Sequence, residues 1–223
     1  MKVRTLLFDF DMTLVDTSHA IAYAMNYFAR IMGLRAVSYE EVLSTIGIPM
    51  EKSLRCLWNE FRPEWLDIYS KECRPLEYER MKLFPGTEEV LQALRNRGLM
   101  LAITSNRRNA KRAVRHLGID KYFDIVLGLE DVDKAKPDPY ILFKAVESLG
   151  VDKDEAIYVG DTVIDMETAN NADIVGIGLA TGPNSAEDLK KAGALMVLSD
   201  IREIPNILTC DGFLIVDEAK VGN

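Results

Sequence analysis

The stretch Thr5-Leu6-Leu7-Phe8-Asp9-Phe10-Asp11-Met12-Thr13 decides the fold: an apolar run, opened by Val3, that ends on two carboxylates. A short apolar run bounded by polar residues reads as an interior strand, and in open α/β sheets ligands collect at the carboxyl ends of such strands. Asp9 and Asp11 therefore face a candidate site. Their period-two spacing puts both side chains on one side of the strand, where two anions repel unless a cation or a shared proton relieves them. A hard divalent metal supplies that relief.

The 223 residues fit one large domain, or one domain with an insertion, and can bury a sizeable core. Hydrophobic residues make up 48% and charged residues 28%, a globular rather than a disordered balance. A formal charge of −8 disfavours nucleic acid and anionic membrane as partners, so an acidic substrate needs local positive charge or a metal. No apolar stretch approaches the roughly 18 residues of a membrane span, and Asp9 interrupts the N-terminal apolar segment. No signal peptide is read, and a cytoplasmic location is expected. Cys56, Cys73 and Cys210 are odd in number, widely spaced and lack a CxxC pair, so they are read as plain thiols rather than a disulfide framework or zinc site.

Residues 16–83 differ from the rest. Apolar side chains recur there at helical period (Ile21, Met25, Phe28, Ala29, Met32; Leu54, Leu57, Trp58, Phe61; Trp65, Ile68, Tyr69) without a strand-like run. Thr17 and Ser18 supply an N-cap and Gly33 a stop for the first helix. From Phe84-Pro85-Gly86 onward, short apolar strands (Met100 to Thr104, Ile125 to Leu127, Ala156 to Val159, Ile174 to Gly178, Leu195 to Leu198) alternate with helices at 87–97, 107–117, 138–149, 165–171 and 185–192. Such alternation predicts an α/β fold, a Rossmann-like doubly wound parallel sheet with helices on both faces. The first strand belongs in that sheet. The core is then 1–15 with 84–223, and 16–83 is an inserted α-helical cap tethered near residues 15–17 and 80–85, in the manner of a lid. The apolar run Gly212 to Val216 and the tail with Lys220 and Gly222 fit an edge strand, an interface element or a loose end.

Four polar clusters fall at the predicted strand ends: Asp9/Asp11/Thr13, Thr104-Ser105-Asn106, Lys136-Pro137-Asp138-Pro139, and Gly160-Asp161-Thr162-Val163-Ile164-Asp165. Singly, each has a plain explanation, such as a helix cap or a solvated lysine. Jointly, acidic side chains, a lysine and a hydroxyl at one sheet edge supply a magnesium site plus donors for a phosphate.

With these motifs in order, the chain resembles the haloacid dehalogenase superfamily, in its phosphatase branch with a helical cap after the first motif. The resemblance runs from Val3 to about Ile207. It implies that Asp9 is the nucleophile forming an aspartyl phosphate, and that Asp11 is the general acid/base, its backbone carbonyl helping to hold Mg2+. It implies Ser105 and Lys136 as phosphoryl-binding residues, with Thr13 and Asn106 as further phosphate-binding candidates. Asp161 becomes a direct metal ligand, and Asp165 acts on the metal directly or through water. An acid at Asp11 marks a phosphate ester or anhydride as substrate, because the dehalogenase and phosphonate-cleaving branches lack it. One departure stands out: Met12 replaces the usual glycine, and a different local turn is expected because Met resists positive φ.

The cap loop Thr45-Ile46-Gly47-Ile48-Pro49-Met50 resembles that of phosphoglycolate phosphatases and related pyrophosphatases, and lacks the arginine that the sugar-phosphate mutase branch often carries near Met50. Gly47 and His19 are candidates for substrate specificity; a plain connector and a surface histidine are the alternatives. Tyr23, Tyr27, Trp58 and Trp65 are read as cap core. Arg107, Lys111 and Arg115 form one i, i+4 stripe, a solvated face with acidic partners or a device for steering anions. The function expected is a magnesium-dependent phosphatase of a small phosphorylated metabolite, phosphoglycolate-like, from a monomer or homodimer. Inorganic pyrophosphatase and, more weakly, sugar-phosphate mutase are the alternatives; a silent binding protein fits poorly with an intact Asp9, Asp11, Lys136 and Asp161.

Overall fold

The first apolar run forms β1 (Thr5–Phe8) at the centre of a six-stranded parallel sheet in a computed structural model that describes residues 1–215. Two short strands follow later or beside it, β2 (Val15–Asp16) and β3 (Lys82–Leu83). The sheet is completed by β4 (Met100–Thr104), β5 (Ile125–Leu127), β6 (Ala156–Gly160), β7 (Val175–Leu179) and β8 (Met196–Leu198), in the order β5-β4-β1-β6-β7-β8. Phe8 is in register with Ile103 on one side and Val159 on the other, so three strands end level. That shared edge is the switch point at which an open α/β sheet receives a ligand.

Alternation sorts the strand residues between two buried layers. Leu6, Phe8, Leu101, Ile103, Ile157 and Val159 face one core, with Leu91 and Leu94 of the helix Thr87–Asn96 packed against them. Leu7, Ala102, Ala156 and Tyr158 face the other, covered by Ile141, Leu142 and Ala145 from Tyr140–Leu149 and by Ala169 and Ala172 from Val163–Ala172. Both faces are dry, as a parallel sheet requires.

The segment between β2 and β3 is helical: α1 (Ser18–Met32), α2 (Tyr39–Leu43), α3 (Met50–Trp58), α4 (Glu64–Ile68) and α5 (Arg74–Tyr78), with a π-helical turn joining the last two. It has its own core, built around Phe28, whose ring lies 5.5 Å from Trp65 and 5.8 Å from both Trp58 and Tyr69. The two tethers pair with each other, Val15 opposite Leu83 and Asp16 opposite Lys82. Later helices are α6 (Thr87–Asn96), α7 (Ala110–His116), α8 (Tyr140–Leu149), α9 (Val163–Ala172) and α10 (Ala186–Lys191). None among the described residues is long and apolar enough to cross a membrane.

Three local expectations are corrected. Thr17 occupies the N-cap position of α1 but makes no capping bond; Asp16 Oδ1 instead accepts from the Ser18 amide and hydroxyl. Tyr23 is exposed rather than core, because α1 turns it outward beneath the Arg80 guanidinium, 3.9 Å from the ring centroid. The helix predicted from residue 107 starts at Ala110, since Asn109 adopts a left-handed conformation with φ of 61°. Gly33 does end α1, at φ of 68°. The C-terminal run is not a regular strand: Lys2 and Phe213 form an antiparallel bridge, and the Val3 amide donates to Gly212. Val216 and the tail with Lys220 and Gly222 lie outside the described residues.

Phe28 is fully buried at the meeting point of three aromatic rings. Phe28→Ala is therefore expected to destabilise the protein by about 3–5 kcal/mol in urea unfolding, the cost of deleting a buried ring and leaving a cavity. A loss below about 1 kcal/mol would show that the cap core closes over the gap.

Candidate active site

Asp9 follows β1 directly, its amide donating to the Val159 carbonyl at 2.9 Å, so the sheet itself fixes its backbone. Lys136, on the segment entering α8, points its buried ammonium at Asp9 Oδ1 (2.8 Å), Asp165 Oδ1 (2.6 Å) and the Tyr158 hydroxyl (2.8 Å). All three ammonium hydrogens have partners. No described residue donates to Asp9 Oδ2, which leaves one oxygen of that carboxylate open toward the cavity. Asp165 sits at the third position of α9, where its Oδ2 accepts from the Thr162 amide and hydroxyl in a capping box. Both Asp165 oxygens thus accept from protein donors, and the residue braces Lys136.

Asp161 directly follows β6 and is wholly buried. Its Oδ1 accepts from the Thr13 hydroxyl at 2.6 Å, while Oδ2 has no partner among the described residues. The Thr13 proton is therefore engaged with a carboxylate and is not offered to a phosphate, contrary to expectation. One oxygen each from Asp9, Asp161 and Asp165 lie within 4.8 Å of one another. Burial, opposed by Lys136 and reinforced by Asp165 and Asp11, pushes Asp9 up to about 7. Burial and the negative charges of Asp165 and Asp9 push Asp161 well above the ordinary carboxylate range. Burial acts on Asp165 too, but the charge and hydrogen bond of Lys136 outweigh it and hold that carboxyl low.

A buried, unpartnered carboxylate oxygen beside a second open one is a donor set suited to a hard divalent cation. Gly182 leaves room for it: a Cβ there would stand 1.8 Å from Asp161 Oδ2. Asp9, Asp161 and Asp165 together fit a hard divalent cation such as magnesium. The Asp11 carboxylate is outside this cluster.

Asp11 is instead held by Arg107, a residue that sequence reasoning placed on a surface stripe. Arg107 Nε reaches Asp11 Oδ2 at 2.9 Å and Nη2 reaches Oδ1 at 2.6 Å, while Nη1 donates to Glu77 Oε2 at 2.7 Å. Glu77 comes from α5 of the cap, and also accepts from Arg74 (3.2 Å) and the Tyr69 hydroxyl (2.5 Å). This buried network joins cap to sheet. Burial alone would raise Asp11 and Glu77, but Arg107 overcomes it at Asp11, and Arg74 with Arg107 overcomes it at Glu77, so both stay below the usual carboxylate range. Because the chain reaches α7 only at Ala110, Arg107 is free to turn inward; of the stripe, Lys111 pairs with Asp131 at 2.7 Å. Consecutive cations at the amino end of a helix oppose its dipole, and that local conflict was the available signal for Arg107. Glu77 carried none.

Ser105 lines the cavity at the end of β4, and its hydroxyl accepts from the Arg107 amide at 3.2 Å. Asn106 donates to the Gly47 carbonyl at 2.9 Å and accepts from the Lys136 amide at 2.9 Å. Its amide therefore clamps the cap loop to the lysine segment instead of meeting a phosphate. Gly47 lines the cavity at φ of 97°, and a Cβ there would lie 3.1 Å from Thr162 Cγ2. His19 does not reach the cavity; it is exposed and stacked on Tyr39 at 4.7 Å, which removes its expected substrate contact.

Met12 overturns the expectation about its backbone. It adopts φ of 61°, the left-handed conformation usual for glycine. Its amide donates to Val15 (2.8 Å), its carbonyl accepts from the Thr181 hydroxyl (2.6 Å), and its side chain is buried in the cap core. Burial of a Met side chain contributes about 1.5–3 kcal/mol, against roughly 1–2 kcal/mol for the left-handed backbone. Met12→Gly is therefore expected to lower thermal stability by about 1 kcal/mol; a gain in melting temperature would show that the strain dominates.

The sequence profile of the haloacid dehalogenase-like hydrolases matches residues 6–179. A phosphoglycolate phosphatase from Aquifex aeolicus is 31% identical over 173 residues, 76% of this chain and 81% of the relative. Pyrophosphatase PpaX from Halalkalibacterium halodurans is 30% identical over 176 residues, 78% of this chain and 82% of the relative. A crystal structure described as a haloacid dehalogenase-like hydrolase from Bacteroides fragilis superposes with a TM-score of 0.85 at 28% identity, covering 91% of this chain and all of that one. Profile, relatives and architecture agree, and the chain belongs to the haloacid dehalogenase-like hydrolase family.

Proposed function

We propose that this chain is a magnesium-dependent phosphatase that hydrolyses a small phosphomonoester, phosphoglycolate-like in character, through an aspartyl phosphate on Asp9. The observation that carries this reading is the Asp9 carboxylate itself, with one oxygen fixed by Lys136 and the other open to the cavity. Displacement of Arg107 from Asp11 lets that buried carboxyl take up a proton; Asp9 Oδ2 attacks phosphorus, the bond to the leaving oxygen breaks, and that oxygen takes its proton from Asp11. Asp11 then takes a proton from water, whose oxygen attacks phosphorus, breaking the acyl phosphate bond and returning Asp9 with inorganic phosphate. Lys136 and Ser105 hold the phosphoryl group. Asp9 and Asp161, with Asp165 beside them, would hold magnesium, which would neutralise charge on the phosphoryl oxygens. Residues 16–83 act as a lid on the core of 1–15 and 84 onward, the paired β2 and β3 absorbing the motion. Pyrophosphate is the second reading, supported by the pyrophosphatase relatives, and shares the first half-reaction.

Asp9→Asn is expected to lower kcat on a phosphomonoester by roughly 10³-fold or more and to abolish trapping of a phosphoenzyme, because an amide cannot attack phosphorus. Retained turnover would overturn the covalent route.

The metal leaves a pH signature. A carboxyl raised by burial favours the folded state while protonated, and that stability is lost as pH rises from the unfolded value through about 7, the value at Asp9. A divalent cation displaces those protons, so the increase in melting temperature caused by magnesium is expected to grow from about pH 6 to about pH 8. An increment constant over that range would place the cation elsewhere.

A further inference from the structure

One buried carboxylate beside the site takes no part in the phosphoryl-transfer steps. Glu77 comes from α5 of the cap, is only 1% exposed, and lines the same cavity as Asp9 and Asp11. It is held at both oxygens: Oε1 accepts from the Tyr69 hydroxyl at 2.5 Å, and Oε2 accepts from Arg74 Nη1 at 3.2 Å and from Arg107 Nη1 at 2.7 Å. Tyr69 opens the π-helical turn Tyr69–Cys73, a helix irregularity frequent at functional sites. A carboxylate offers about four lone-pair sites, so these three donors leave Glu77 room for one more. Arg107 grips Asp11 through Nε and Nη2 while Nη1 already rests on Glu77. Among the described residues, these two carboxylates are its ion-pair partners.

We propose that Glu77 is a positioning residue, the seat on the cap that takes up the Arg107 guanidinium when Asp11 is released to meet the leaving oxygen. This rests on the phosphatase reading above and concerns the control of that same site. Asp11 cannot face the leaving oxygen while both of its own oxygens accept from Arg107. The guanidinium has to withdraw, and a buried cation withdrawn from its only carboxylate would stand uncompensated at high cost. Glu77 removes that obstacle. With Nη1 already anchored, Arg107 pivots about Glu77 Oε2, brings a second N–H to the remaining lone-pair site, and stays paired throughout. The planar fork suits the exchange, because a carboxylate accepts it bidentately in either seat. Tyr69 and Arg74 meanwhile hold Glu77, so the guanidinium moves and its acceptor does not. Glu77 belongs to the cap and Asp11 to the core, so the exchange is available only with the cap seated.

The test measures kcat and KM for 4-nitrophenyl phosphate, whose leaving group needs little help from an acid, and for phenyl phosphate, whose leaving group needs more. Both are assayed with the magnesium-loaded wild type, Glu77→Gln, Arg107→Gln and the double variant. Glu77→Gln keeps the shape and loses the charge. It is expected to lower kcat by about 10–100-fold on phenyl phosphate and by less than about threefold on 4-nitrophenyl phosphate, with KM for either shifted by less than about threefold. In the Arg107→Gln background Asp11 has no guanidinium to shed, so adding Glu77→Gln is expected to change kcat by less than about twofold on both esters. Tyr69→Phe keeps the ring and deletes the hydroxyl that anchors the seat; it is expected to show the same selectivity at about three- to tenfold, and it decides the matter if Glu77→Gln does not fold. Equal slowing of both esters, a KM effect in place of the kcat effect, or an undiminished Glu77→Gln loss with Arg107 already replaced would overturn the seat and leave the phosphatase reading intact. No hydrolysis of either ester, nor of 2-phosphoglycolate or pyrophosphate, by the wild type would overturn both.

Discussion

Buried carboxylates cannot share one sheet edge without cations, and the whole site is arranged around that constraint. Asp9, Asp11, Asp161 and Asp165 are all at least nine-tenths buried, and each finds a different answer to its own charge. Asp165 is neutralised by Lys136 and Asp11 by Arg107. Among the described residues, Asp9 has only a share of Lys136, and Asp161 has a hydroxyl on one oxygen and no partner on the other. Burial, with the residual repulsion added to it, therefore raises the proton affinity of these two carboxylates and suits them to an external cation. A protein that satisfied all four would be more stable and would have no reason to take up metal.

The two internal cations also divide the labour between sheet and cap. Lys136 joins groups that all come from the sheet and its connections, so its network survives whatever the cap does. Arg107 has one foot on Asp11 and the other on Glu77, and its network exists only with the cap in place. Asn106 repeats that pattern with neutral groups, touching Gly47 on one side and the lysine segment on the other. Two adjacent residues after β4 therefore tie the helical insertion to Asp11 and to the lysine segment.

The parallel sheet was legible because its signals are strong: uninterrupted apolar runs at β1, β4 and β6, each followed by polar residues, leave little choice of period or face. Asp9, Lys136 and Asp161 were legible for the same reason, since strand ends in such a sheet must converge. What escaped the sequence were features set by tertiary contact. The inward turn of Arg107 depends on a left-handed Asn109, a conformation the residue type permits but does not announce. Glu77 looks like any helical glutamate until Arg74, Tyr69 and Arg107 surround it. Met12 breaks a steric preference because its side chain gains a place in the cap core and Thr181 anchors its carbonyl. His19 failed from the opposite cause: closeness in sequence to Asp9 gave no direction, and α1 points it at Tyr39.

The pairing of Val15 with Leu83 and of Asp16 with Lys82 also bears on how the chain assembles. Joining Phe8 to Ile103 in a parallel ladder means closing a very long stretch of chain, an entropic burden that slows folding. Once the cap has gathered around Phe28 and its two ends have zipped together, that stretch is short-circuited, and β1 and β4 are separated by little more than α6 and its turns. A pre-folded insertion thereby adds little to the effective contact order of the sheet it interrupts. Cap first and sheet second is the folding order that this topology favours.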